Sequence, residues 1–164
     1  MEEIEVPIAD AVVREKPALL VCHGIGSCLA IMLYDPRSRV GGLAHVLLPD
    51  ESFSRMKENP KKFADSAICW LIEETVNQGA NRKALKAKIA GGASLFTSIK
   101  DPIGKENLIR AKDTLAKERV VLVAEEVGGT RGRSVMFETA TGITRVKKLK
   151  SAGNLKYSWE EIIL

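Results

Sequence analysis

The stretch ALLVCHGIGSCLAIMLYDP, residues 18–36, decides the architecture. It holds two short apolar runs separated by GIGS. The first, Ala18–Gly24, ends at a glycine and reads as a buried strand. The second, Cys28–Pro36, is another strand, closed by the turn chemistry of Asp35-Pro36. A third run, GGLAHVLLP (Gly41–Pro49), follows the turn DPRSRVGG, so two strands are expected side by side, joined by that turn.

Downstream the periodicity changes. Asn59 can cap a helix and Pro60 suits its first turn. In KKFADSAICWLIEETVNQGA the apolar residues Phe63, Ala67 and Leu71, with Ile68, Ile72 and Val76, recur at helical spacing up to a natural stop at Gly79. ALKAKIAGGA is expected as a strand running into a double glycine. IGKENLIRAKDTLAKER is a second helix with Leu108, Ala111 and Leu115 on one face. VVLVAEEVGG is a further buried strand, and SVMFETATG and ITRVKKL are two more around the Thr141–Gly142 turn. In SWEEIIL, Ser158 and Glu161 stand at capping-box spacing, which predicts a short terminal helix over about 158–164. Runs of strands with two sizeable helices predict an α/β (α+β) fold. The expectation is a mixed β-sheet sandwich with helices packed on it, of three-layer α/β/α type, as a single domain over 1–164.

Bulk composition agrees with a globular chain. Its 164 residues fit the usual size of one domain and can bury a core of their own. Of the residues, 45% are hydrophobic and 28% charged, and no apolar run approaches the ~20 residues of a membrane span. The opening MEEIEVPIAD is acidic where a signal peptide would be basic, so a cytoplasmic location is expected. Three cysteines in a reducing compartment are expected as free thiols. The net charge of +4 is concentrated in RVKKLK (Arg145–Lys150), with Lys156 beyond it. That cluster reads as a solvated strand end or as a docking surface for an acidic partner. No aromatic residues interleave with it, which argues against nucleic acid as a partner.

Four of the five cysteines and histidines fall between Cys22 and His45. A zinc site could draw on Cys22, His23, Cys28 and His45, but five residues separate the two cysteines, and structural zinc ligands pair at two to four. Adjacent Cys22 and His23 would also point opposite ways on a strand. A nucleophile needs less: a thiol at a chain reversal, an imidazole in reach, and N–H groups for an oxyanion. Cys28 sits after GIGS at a loop-to-strand junction, and His45 lies in the next strand. Pairing with an imidazole can bring a thiol from ~8.5 to roughly 3.5–7.5. Each residue alone reads more simply as core, as do Cys22 and, within its helix, Cys69.

GIGSCLAIMLYDP followed by GGLAHVLLP resembles the paired signature of the CheD family of chemoreceptor glutamine deamidases. The likeness continues in order through FADSAI, LKAKIAGGASLF, IGKEN and VGGTRGRSVMFETATGITRVKK, from about Val21 to Lys148. The resemblance implies a protein-glutamine deamidase acting on methyl-accepting chemotaxis receptors, without a cofactor or metal and without membrane insertion. The family's nucleophilic cysteine falls on Cys28 and its histidine on His45. Its threonine falls on Cys22, where the expectation is a backbone role, the carbonyl holding the imidazole tautomer. Backbone N–H groups around Gly26, Ser27 and Cys28 are the candidate oxyanion donors, and Gly91, Gly92, Ala93, Gly128 and Gly129 are candidates for the pocket rim. Glu126-Val127 stands where the family pattern suggests an aspartate. Methylesterase side activity and binding of a CheC-like phosphatase, with Arg131 and Arg133 as contacts, are further implications. A non-catalytic regulator acting through such a partner is the alternative.

Overall fold

The computed structural model describes residues 1–95, 102–150 and 158–164. In chain order the strands begin with β1 (Glu2–Glu5), β2 (Asp10–Arg14), β3 (Ala18–Ile25), β4 (Leu29–Asp35) and β5 (Val40–Val46). Then come helix α1 (Ala64–Asn77), β6 (Lys86–Gly91) and helix α2 (Ile103–Lys117). The chain continues through β7 (Val121–Val127), β8 (Arg133–Glu138), β9 (Thr144–Leu149) and β10 (Trp159–Ile163). They form two five-stranded sheets: a central one ordered β2-β5-β4-β6-β7 and an outer one ordered β1-β3-β8-β9-β10.

The apolar runs of the sequence are explained by position. Every residue of β4 and β5 is buried, because the central sheet is covered on both faces. Leu29, Ile31 and Leu33 of β4 join Ala67, Ile68 and Leu71 of α1 and Leu115 of α2 in one core. The alternate residues Ala30, Met32 and Tyr34 join Leu20, Val135 and Phe137 of the outer sheet in a second core. Each fully buried Leu, Ile or Phe contributes roughly 1.5–3 kcal/mol, so β4 is held from two sides. The mixed sandwich with helices packed on it is therefore observed. Its layers run helix, sheet, sheet, and a second sheet lies on the face where a further helical layer was expected.

Two expectations change. The terminal helix over 158–164 is instead β10, antiparallel to β9 with Ile162 opposite Val146. So short a segment is well below the ~12–15 residues at which a helix holds by itself, and Trp159, Ile162 and Ile163 favour strand. Glu160 and Glu161 also stand opposite Lys148 and Lys147. Asn59 does cap a helical turn, its side chain accepting from the Lys61 N–H, but that turn is a 3₁₀ segment, Pro60–Lys62. Helix α1 starts only at Ala64. The basic cluster is strand rather than patch: Val146 is core, Lys148 turns inward, and Lys156 lies outside the described residues.

Candidate active site

Cys28 stands one residue before β4, and His45 is the penultimate residue of β5. The register pairs Leu29 with Val46 and Ala30 with His45. Directly opposed residues share a face, so His45 faces the outer sheet beside Ala30, and Cys28 belongs to that same inter-sheet core. The two are diagonal neighbours on adjacent strands, an arrangement with Cα atoms about 7–8 Å apart. Cys28 is 6% exposed and His45 4%.

The outer sheet supplies what surrounds the pair. The residue after β1, Val6, is tied to β3 by its N–H to the Val21 carbonyl. Its own carbonyl lies 3.3 Å from His45 Nδ1. A carbonyl only accepts, so Nδ1 carries the proton and Nε2 presents its lone pair. That Nε2 is buried and has no partner among the described residues. The tautomer is thus set by Val6, not by the Cys22 carbonyl expected from the sequence. Cys22 is wholly buried in the same core, and its thiol is raised by burial first and then by charge on Cys28.

The loop before Cys28 has its carbonyls held. The Ala93 N–H donates to Gly26 O at 2.9 Å, Asn107 Nδ2 to Ser27 O at 2.9 Å, and the Gly92 N–H to Cys28 O at 2.8 Å. Among the described residues, the N–H groups of Ser27 and Cys28 have no backbone acceptor. These two donors fit an oxyanion role. Gly91 and Gly92 take positive φ of 112° and 66°. A Cβ on Gly91 would collide with the Cys28 carbonyl oxygen, so glycine there allows β6 to run against the loop. The ring of contacts closes through the Gly128 N–H to Gly91 O and the Ser94 N–H to Gly129 O, both 2.9 Å.

Burial sets the electrostatics. It pushes the Cys28 thiol above its ordinary 9.0, against a lowering contribution from its own backbone N–H. It pulls His45 below its ordinary 6.5, opposed by the Val6 hydrogen bond. Burial thus disfavours the charged form of both groups, opposite to the lowered thiol that pairing with an imidazole led us to expect.

Other sequence candidates separate. His23 points from the opposite face of β3, with Nδ1 at 3.2 Å from Ser134 Oγ, so the four supposed zinc ligands do not converge. Cys69 is exposed, with Sγ 3.8 Å from Glu118 Oε1, and lines a groove between the helices instead of their core. Arg131 is half-buried and pairs with Glu160 at 3.7 Å. Arg133 cannot be a surface contact: its side chain is 2% exposed. It donates to Glu126 at 3.2 Å and to the Gly128 carbonyl at 2.8 Å. Lys148 also donates to Glu126, at 2.7 Å. Desolvation raises the Glu126 carboxyl, but these two cations outweigh it and hold it low. Val6 and Asn107 escaped the sequence reading. Val6 acts through its backbone and carries no side-chain signal; Asn107 lies inside the IGKEN motif.

The model for the family described as CheD chemotactic sensory transduction matches residues 47–148. The chain is 41% identical over 150 residues to the "Probable chemoreceptor glutamine deamidase CheD" of Clostridium novyi (strain NT), spanning 89% of this chain and 93% of that one. The protein of the same name in Clostridium botulinum (strain Eklund 17B / Type B) is 41% identical over 149 residues, 88% and 92% of the two chains. The chain belongs to the CheD family. The CheD match begins at Leu47, so it is independent of Cys28 and His45. Among solved structures, the crystal structure of the Bacillus licheniformis hypothetical protein YfiH is similar at a TM-score of 0.46 and 13% identity, over 71% of this chain and 49% of that one.

Proposed function

We propose that this protein is a glutamine deamidase of chemotaxis receptors, with Cys28 as nucleophile and His45 as its acid and base. The observation that carries the reading is the unpartnered, buried Nε2 of His45 on the face it shares with Cys28. Its CheD relatives bear the name of that activity. Nε2 takes the thiol proton as Sγ attacks the glutamine side-chain carbonyl. The C–S bond forms and the oxygen becomes an oxyanion facing the Ser27 and Cys28 N–H groups. The oxyanion collapses, the imidazolium protonates the departing amide nitrogen, and ammonia leaves a thioester. Water then gives a proton to Nε2 and attacks. Sγ departs and recovers its proton, releasing glutamate. Such acid–base assistance is worth roughly 10²–10⁴ in rate.

A glutamyl methyl ester presents the same acyl carbon with methanol as leaving group, so methylesterase side activity belongs to this reading. Receptor glutamines reached this way lie on the cytoplasmic side, which places the protein there. Among the described residues no helix is long and apolar enough to cross a membrane. A CheC-like phosphatase as partner would meet Arg131 at the surface rather than Arg133.

The test is mass spectrometry of receptor cytoplasmic fragments after incubation with the protein and with Cys28→Ala. Conversion of specific glutamines to glutamate by the first and not the second is expected. Intact glutamines with a folded wild-type sample would favour a non-catalytic regulator.

A further inference from the structure

We propose that Asn107 is a positioning residue for the reaction, fixing the Cys28 N–H as an oxyanion donor and clamping the nucleophile's loop to the base's strand. The inference rests on the nucleophile assignment above. Asn107 is wholly buried in α2. Its Nδ2 donates to the Ser27 carbonyl at 2.9 Å and to the Leu47 carbonyl at 3.2 Å. Ser27 precedes Cys28, and Leu47 follows His45 by two residues, so one nitrogen ties both catalytic segments together.

The consequence follows from peptide planarity. Among the described residues no peptide bond is cis, so the Ser27 C=O and the Cys28 N–H share a plane and point in opposite directions. Holding that oxygen toward α2 turns the Cys28 N–H away from the helix. The Gly92 N–H holds the next carbonyl, that of Cys28, which fixes the peptide on the other side. Cys28 is thereby left with its own N–H beside its Sγ, where it favours the thiolate against the larger effect of burial. An oxyanion formed by attack of that sulfur arises beside this donor.

The helix is brought into place by Gly104, one turn earlier on the same face. A Cβ there would meet the Ala93 carbonyl oxygen at 2.5 Å. Glycine permits the contact, and the next turn carries Asn107 to the loop. Packing alone does not account for Asn107. Its Oδ1 is buried with no partner among the described residues, a state that costs stability and that an apolar side chain would avoid.

The experiment compares wild type with Asn107→Asp and Asn107→Ala, the first near-isosteric but carrying an acceptor against two acceptors. Turnover and KM on a receptor fragment are measured beside the rate of Cys28 alkylation by iodoacetamide. Alkylation displaces iodide and forms no oxyanion, so it reads access and thiol reactivity alone. The expected result is a tenfold or greater fall in kcat, toward the roughly 10²–10³ of a lost oxyanion donor, with KM and the alkylation rate within about twofold of wild type. Asn107→Ser, which keeps one donor, should fall between. Unchanged kcat overturns the proposal, and so does a loss of kcat matched by an equal loss of alkylation. If both severe variants fail to fold, the Ser variant decides by the same comparison. Retained activity in Cys28→Ala is a separate outcome, and it removes the nucleophile assignment itself.

Discussion

The carbonyl oxygen of Val6 and the Nδ1 of His45 face each other at 3.3 Å across the gap between the two sheets. The bond fixes where the imidazole keeps its proton when neutral. Nitrogen NMR of labelled protein at neutral pH should find His45 as the Nδ1–H tautomer. On titration its midpoint should lie below 6.5, because burial outweighs the hydrogen bond. Deamidation should accordingly hold its rate from neutral pH down through 6.5 and fall only as Nε2 takes up a proton. A His45 midpoint above 6.5 would contradict this.

Cys28 should react slowly at neutral pH for a catalytic thiol. In a Cys69→Ser background, its alkylation rate against pH should climb through a midpoint above 9.0. A plateau near neutrality would reveal a stable thiolate instead.

Cys22 should matter for alkaline stability more than for turnover. Its thiol is raised far above 9.0 by burial and by Cys28. A raised pKa stabilises the fold fully below the unfolded value, and that contribution is lost as pH rises beyond it. Above pH 9.0 the unfolded chain releases a proton that the folded one keeps, so stability drops by ~1.4 kcal/mol per pH unit. Urea titrations of Cys22→Ala should show a shallower alkaline decline than wild type. Turnover should stay within about twofold, since the Val6 carbonyl orients His45.

Glu126 balances a buried cation. Removing it in Glu126→Ala strands Arg133, and breaking a buried pair in this way costs about 3–5 kcal/mol. Denaturant unfolding should show that loss, and a smaller one for Glu126→Gln, which still accepts a hydrogen bond.

Gly91→Ala should both destabilise and slow the protein. Its φ of +112° disfavours any side chain, and the new Cβ would strike the Cys28 carbonyl and Ile25 Cγ2. Strain of this kind costs about 1–3 kcal/mol. The unfolding midpoint should fall, and kcat with it, because the nucleophile's own peptide is displaced.

The central strands and both helices were legible because their residues are apolar at every position or at helical period. β4 and β5 announce themselves through two-sided burial. β1 and β2 carry little of that signal: EEIE is exposed at three of its four positions. β10 misled because Ser158 and Glu161 match a cap whose helix never forms. At the site, Cys28 and His45 could be paired from adjacent strands joined by a turn. Val6 could not, because its contribution is a carbonyl that every residue has, delivered by a segment far away in sequence. The direction of the thiol's shift was also hidden, since it depends on how deeply the pair is enclosed between sheets.

The site straddles the seam between two sheets, and the labour is divided along that seam. Cys28 and His45 ride on the central sheet, whose register keeps them together whatever the outer sheet does. Val6, whose carbonyl biases the imidazole, rides beside the outer one. The spacing of the pair is thus set by one layer and the proton position on its imidazole by the other. Among the described residues no helix covers the far face of the outer sheet, so the layer that orients the imidazole is the layer turned to the surface.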